Sequence, residues 1–142
     1  MIKMIVNLIS KGLGARTANL GVTNGKLSPC PDSSNCVSSQ STDKAHRVEP
    51  LRYEGTPTEA RKRLISVINS MDRARIVTVE RDYIHAEFTT ALFRFVDDVE
   101  FYFDDANKTI HLRSASRIGY YDLGVNRKRI ENIRARFINS TT

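Results

Sequence analysis

Two cysteines, Cys30 and Cys36, lie in the stretch LSPCPDSSNCVSSQ, residues 27–40. Such thiols can serve as a nucleophile, as metal ligands or as a disulfide. A nucleophilic cysteine needs a base beside it and a setting that lowers its pKa, such as a helix N-terminus. This proline- and serine-rich stretch supplies neither locally, although His85 is a distant candidate base. The cysteine spacing also misses the pattern of zinc hairpins, and His46, His85 and His111 lack helical ligand spacing. No metal is expected, and no cofactor. What remains is a structural clip. In an oxidising compartment it is a disulfide, contributing about 2 kcal/mol for so short a loop; in a reducing one it is two free thiols. The Pro-Asp-Ser-Ser-Asn between the cysteines forms turns in either case.

A second group is HLRSASRIGYYDLGVNRKRIENIR, residues 111–134. Arg113, Ser114, Ser116, Arg117, Asn126, Arg127, Lys128 and Arg129 crowd around the start of a helix, where guanidiniums, hydroxyls and unbonded amides can hold an anion. Tyr120 and Tyr121 could stack on bases, but no recognised nucleic-acid module is present and nucleic acid is not expected as a partner. The plainer alternatives are that Arg117 pairs with Asp97 or Asp122, and that Arg127, Lys128 and Arg129 are a solvated helical surface.

These groups need elements to position them. Gly21 to Pro50 is rich in Ser, Thr, Asn, Pro and Gly without apolar period, and reads as a long irregular strap. Thr56-Pro57-Thr58-Glu59 then reads as a helix start with a capping box. Ala60, Leu64, Val67, Ile68 and Met71 give that helix its apolar spacing, and it should end near Ser70. Four strand-like runs follow: residues 75–80, 83–89, 98–104 and 110–114, the last three alternating with period two. Short connections favour antiparallel pairing. Asn126 is placed to cap a final helix with Ile130, Ile133 and Phe137 on one stripe.

The expected fold is therefore α+β. A four-stranded antiparallel meander carries two helices on one face, and the strap occupies residues 21–55. The other face then carries Tyr83, His85, Glu87, Glu100, Tyr102, His111 and Arg113. Water contact alone would account for such polarity, yet the strap or a partner could cover it. His85 with Glu87 or Cys36 supplies a hydrolase-type alternative, since imidazole and carboxylate can move protons.

At 142 residues and 40% hydrophobic content, a single globular domain from residue 21 to 142 is expected. The net charge of +6 is concentrated at the two ends. Residues 1–50 hold six basic and three acidic groups, residues 51–122 eleven and twelve, and residues 123–142 five and one. Such ends attract phosphate, anionic lipid or an acidic protein face. Residues 1–20 lack the pattern of an export signal and read as an extension, a short helix docking on the domain or a weak membrane-surface anchor. No apolar run reaches the ~20 residues of a membrane span.

The strings LSPCPDSSNCVSSQ, DYIHAEFTTALFRFVDDVEFYFD and RSASRIGYYDLGVNRKRIENIR, in that order, resemble the family catalogued as domain of unknown function 1499. The resemblance spans roughly Asn19 to Phe137, with Ser34 standing where proline is usual. It implies no reaction. Some family members resemble exported, lipid-anchored or lumenal proteins, which would suit an envelope or lumenal location and a disulfide between Cys30 and Cys36. It also couples the cysteine strap to the arginine cluster. Asn35, Ser38 and Ser39 are thus expected to approach Arg113, Ser116, Arg117 or Arg127 and to wall a groove. The function expected is a non-enzymatic binding module for an anionic ligand or protein partner, or an assembly factor docking through its basic ends.

Overall fold

The computed structural model describes residues 19–118 and 124–140. Four short strands come first: β1 (Val22–Thr23), β2 (Lys26–Leu27), β3 (Cys36–Ser38) and β4 (Leu51–Arg52). Helix α1 (Pro57–Asn69) leads into β5 (Ala74–Val79), β6 (Tyr83–Thr89), β7 (Val96–Asp104), β8 (Thr109–Ser116) and helix α2 (Val125–Asn139). Of the extension and short helix expected over residues 1–20, residues 1–18 lie outside the described residues, as do Tyr120, Tyr121 and Asp122.

The α+β class, the two helices and the antiparallel run β5–β8 match the sequence reading. The strand count does not. The main sheet has six strands, ordered β3-β8-β7-β6-β5 with β4 also on β8, and β1 and β2 form a separate hairpin. The strap is therefore not irregular throughout. Cys36, Val37 and Ser38 face Ala115, Ser114 and Arg113 of β8, and Leu51 faces Ile110. Strands of two or three residues carry no legible period. They form because β8 presents unpaired backbone groups that must be satisfied. The β1–β2 hairpin did have a local signal: Asn24 and Gly25 both take positive φ, 52° and 75°, as a primed two-residue turn requires.

Helix α1 begins as its sequence predicts. The Thr56 side chain accepts from the Glu59 amide at 3.1 Å, and Glu59 accepts from the Thr56 amide at 3.1 Å. Helix α2 corrects the expected cap. Gly124, at φ 77°, holds the N-cap position, and Asn126 lies inside the first turn, fully buried. The Asn126 side chain accepts from Ser114 Oγ at 2.6 Å and donates to Ser116 Oγ at 2.9 Å and the Asn35 carbonyl at 3.1 Å. It joins helix, sheet and strap instead of closing its own turn.

Alternation along the strands sorts the sheet into two faces. Ile84, Ala86, Phe88, Val99, Phe101, Phe103, Ile110 and Leu112 pack with Leu64, Val67 and Ile68 of α1 and Ile130, Ile133 and Phe137 of α2. The polar face is not left to solvent. Tyr83, His85, Asp98, Glu100 and Arg113 on that face are all buried.

Candidate functional site

The register of the meander assembles a grid on the polar face. Glu87, Asp98 and Ala115 form one cross-strand row, His85, Glu100 and Arg113 the next, and Tyr83, Tyr102 and His111 the third. Over this grid the strap leaves a cavity of about 470 Å³. Its strap wall includes Leu20, Pro29, Cys30, Pro31, Asn35 and Cys36; its floor is Asp98, Arg113, Ala115, Ser116 and Arg117. Cys30 and Cys36 are joined in a disulfide, which holds the strap wall at the point where β3 meets β8.

Charges in the grid are paired in rows. Arg117 donates to Asp98 from Nε at 2.9 Å and from its terminal nitrogen at 2.9 Å, and reaches Glu87 at 2.5 Å. Hydrogen bonding to Asp98 outweighs burial and raises the Arg117 pKa beyond its already high value. Arg117 is therefore paired with Asp98 and Glu87; of the two partners expected, Asp97 faces the helix side and lies 2.7 Å from Arg129, and Asp122 is outside the described residues. Burial pushes the Asp98 carboxyl up, but hydrogen bonds from His85 and Arg117 prevail and hold it below the ordinary carboxylate range. Glu87 is lowered in the same way, its burial outweighed by Arg75 and Arg117.

The second row is less well satisfied. Glu100, with no exposed surface, accepts from the Tyr83 hydroxyl at 2.5 Å and the Gly21 amide at 2.6 Å. Burial foremost, then Glu100, pushes the Tyr83 phenol well above its usual range. Arg113, 5% exposed, has its nearest acidic oxygen on Glu100 at 3.6 Å and the Pro29 carbonyl at 3.4 Å. Its Nε has no hydrogen-bond partner among the described residues. Desolvation lowers its pKa, with Glu100 offsetting part of that. A guanidinium presents five donors in a fixed fork, so this one has capacity to spare on the cavity floor.

Four of the seven residues singled out from the sequence, Asn35, Arg113, Ser116 and Arg117, line this one cavity. Ser38, Ser39 and Arg127 do not. Ser38 pairs with β8, and Ser39 Oγ accepts from the Leu112 amide at 3.0 Å and lies 3.1 Å from His111 Nδ1. Arg127 donates to the carbonyls of Arg47 and Ala45 at 2.8 and 2.9 Å, fastening the strap. Asp98, Pro29 and Leu20 were missed. Asp98 was identifiable in principle, since alternation puts it on the face of Glu100.

The residues of the hydrolase alternative are each engaged elsewhere. His85 Nε2 lies 2.8 Å from Asp98, Glu87 is engaged by Arg75 and Arg117, and Cys36 has no thiol while the disulfide stands. His85 and His111 share a face but are separated by β7. Among the described residues no helix is long and apolar enough to cross a membrane. No curated protein matches the sequence. The family model described as protein of unknown function DUF1499 matches residues 26–137, most of the chain, and the protein belongs to that family.

Proposed function

We propose that the protein is a binding module whose cavity takes up a small molecule with an anionic end. The observation that carries this reading is Arg113: a buried guanidinium on a cavity floor, with an unbonded Nε and only long contacts to protein oxygens. An unmatched buried donor costs stability, and a carboxylate or phosphate in the cavity would complete it with a charge-assisted bond once a small turn of the side chain uncovers Nε. The floor is not uniformly cationic. Asp98 sits beside Arg113 and Arg117, so the ligand that fits best also carries a hydroxyl or amine to donate to that carboxylate. Arg117 serves first to position Asp98, because its Nε and one terminal nitrogen are already bonded to Asp98 and Glu87; only its other terminal nitrogen is left to meet a ligand.

A panel of inorganic phosphate, simple carboxylates, hydroxy acids and amino acids tests this by thermal shift and calorimetry. At least one should raise the melting temperature at saturating concentration, as binding to the folded state requires. Arg113→Lys keeps the charge and lacks the Nε donor, and should weaken binding by about tenfold or more while the chain stays folded. Failure of every anion to stabilise the chain, or equal affinity in Arg113→Lys, would remove the proposal.

A further inference from the structure

At the opposite end of β6 from Tyr83, the connection to β7 reads TTALFRF, residues 89–95. It does not bury its apolar side chains. Leu92 is 80% exposed, Phe93 68% and Phe95 42%, and the two phenyl rings stack with centroids 5.5 Å apart. The turn is nevertheless built. The Thr90 amide donates to the Phe95 carbonyl at 2.8 Å, the Arg94 amide to the Thr90 carbonyl at 3.1 Å, and the Phe95 amide to Thr90 Oγ1 at 2.9 Å. A turn fastened by three bonds holds an apolar cluster in water, which is unfavourable unless something meets it.

What meets it is indicated by the charges at its base. Thr90 and Ala91 share a hollow of about 400 Å³ with Arg73, Lys128 and Arg136, Asp72 being the acidic residue on its wall. Arg94 lies within the turn itself. Apolar groups at the tip and cations at the base follow the order of a bilayer surface, with acyl chains inside and phosphates outside. We propose that this end of the molecule docks on an anionic lipid surface. Leu92, Phe93 and Phe95 enter the interface, and Arg73, Arg94, Lys128 and Arg136 meet the headgroup phosphates.

The chain contains no tryptophan, so Phe93→Trp in the full chain introduces a single reporter at the tip. Its emission should shift to the blue with vesicles containing phosphatidylglycerol and stay unchanged with phosphatidylcholine alone. Adding Lys128→Glu and Arg136→Glu should weaken the interaction by about tenfold or more at low salt. In flotation without the reporter, Leu92→Ser with Phe93→Ser should lose binding to a similar degree, about tenfold, as removal of buried apolar area predicts. Their side chains stand outside the core, so the melting temperature should hold. An unchanged emission on anionic vesicles overturns the proposal. So does flotation that survives the Leu92→Ser, Phe93→Ser change, because another segment would then be the anchor. A blue shift that follows protein concentration without lipid, or that needs an added protein, assigns the tip to a protein interface and overturns it equally.

Discussion

His46 fastens the strap to itself, and its protonation state decides how well. Its Nδ1 lies 2.5 Å from Asp43 and its Nε2 lies 2.8 Å from the Ser33 carbonyl. Only the imidazolium can donate to both. The bond to the Ser33 carbonyl, followed by that to Asp43, raises its pKa above the ordinary 6.5. Unfolding then releases a proton, so the stabilisation is complete below pH 6.5 and is lost as pH rises through the raised value. His111 has the opposite sign. Burial lowers its pKa from 6.5, so its contribution is complete above that value and is lost as pH falls below it. Thermal melts across this range should show His46→Gln flattening the alkaline decline and His111→Gln flattening the acidic one. A His46→Gln chain that declines above pH 6.5 as steeply as the parent would refute the assignment. At this scale the sequence conveyed part of the site. Alternation alone put His85, Glu87, Glu100 and Arg113 on one face. It could not say that Asp98 goes to Arg117 while adjacent Asp97 goes to Arg129, because that depends on register with β6 and β8.

Elements differed in legibility for the same reason. Helix α1 was readable because its capping box is local, four residues satisfying each other. The strap was not, because β3 and β4 exist only against β8 and further fastenings come from a helix far along the chain. Two arginines on α2 supply them. Arg127 takes the carbonyls of Ala45 and Arg47, and Arg134, nearly two turns on, takes those of Glu49 and Pro50 at 2.6 and 2.9 Å. The sequence suggested that Arg127 awaited an anion; in the fold it serves the strap backbone. Each of Arg127→Ala and Arg134→Ala should cost about 1 kcal/mol by urea unfolding, because partly exposed charged donors to carbonyls contribute modestly. Amides of residues 45–49 should also exchange faster in each variant, ahead of those in β6 and β7. Equal acceleration throughout the meander would mean that these arginines support the whole fold and not the strap.

The whole molecule is a sheet with unlike neighbours on its two faces. One face packs a conventional apolar core beneath the helices; the other buries Asp98, Glu100, Arg113 and much of Arg117 beneath the strap. Burying ions is costly, and an apolar layer of the same volume would usually be as stable or more so. The proposed anion binding gives the polar layer a use that the fold itself does not require, and the energetics of one pair can separate the two. Glu100 is the nearest acidic group to Arg113, at 3.6 Å. Glu100→Gln leaves that buried guanidinium without its counter-charge and should cost about 3 kcal/mol. Arg113→Met alone should cost a similar amount, about 3 kcal/mol, by leaving the carboxylate stranded. Both together remove this pair of ions and leave Asp98 and Arg117 to neutralise each other, so the double variant should lose less than the sum, with a coupling of about 1–3 kcal/mol. It should also lose any stabilisation by small anions, since Arg113 is gone. Single losses that simply add would place the two charges outside each other's influence. A double variant that folds at near-parental stability yet no longer responds to anions would identify the pair as present for binding, tolerated by the fold and unnecessary to it.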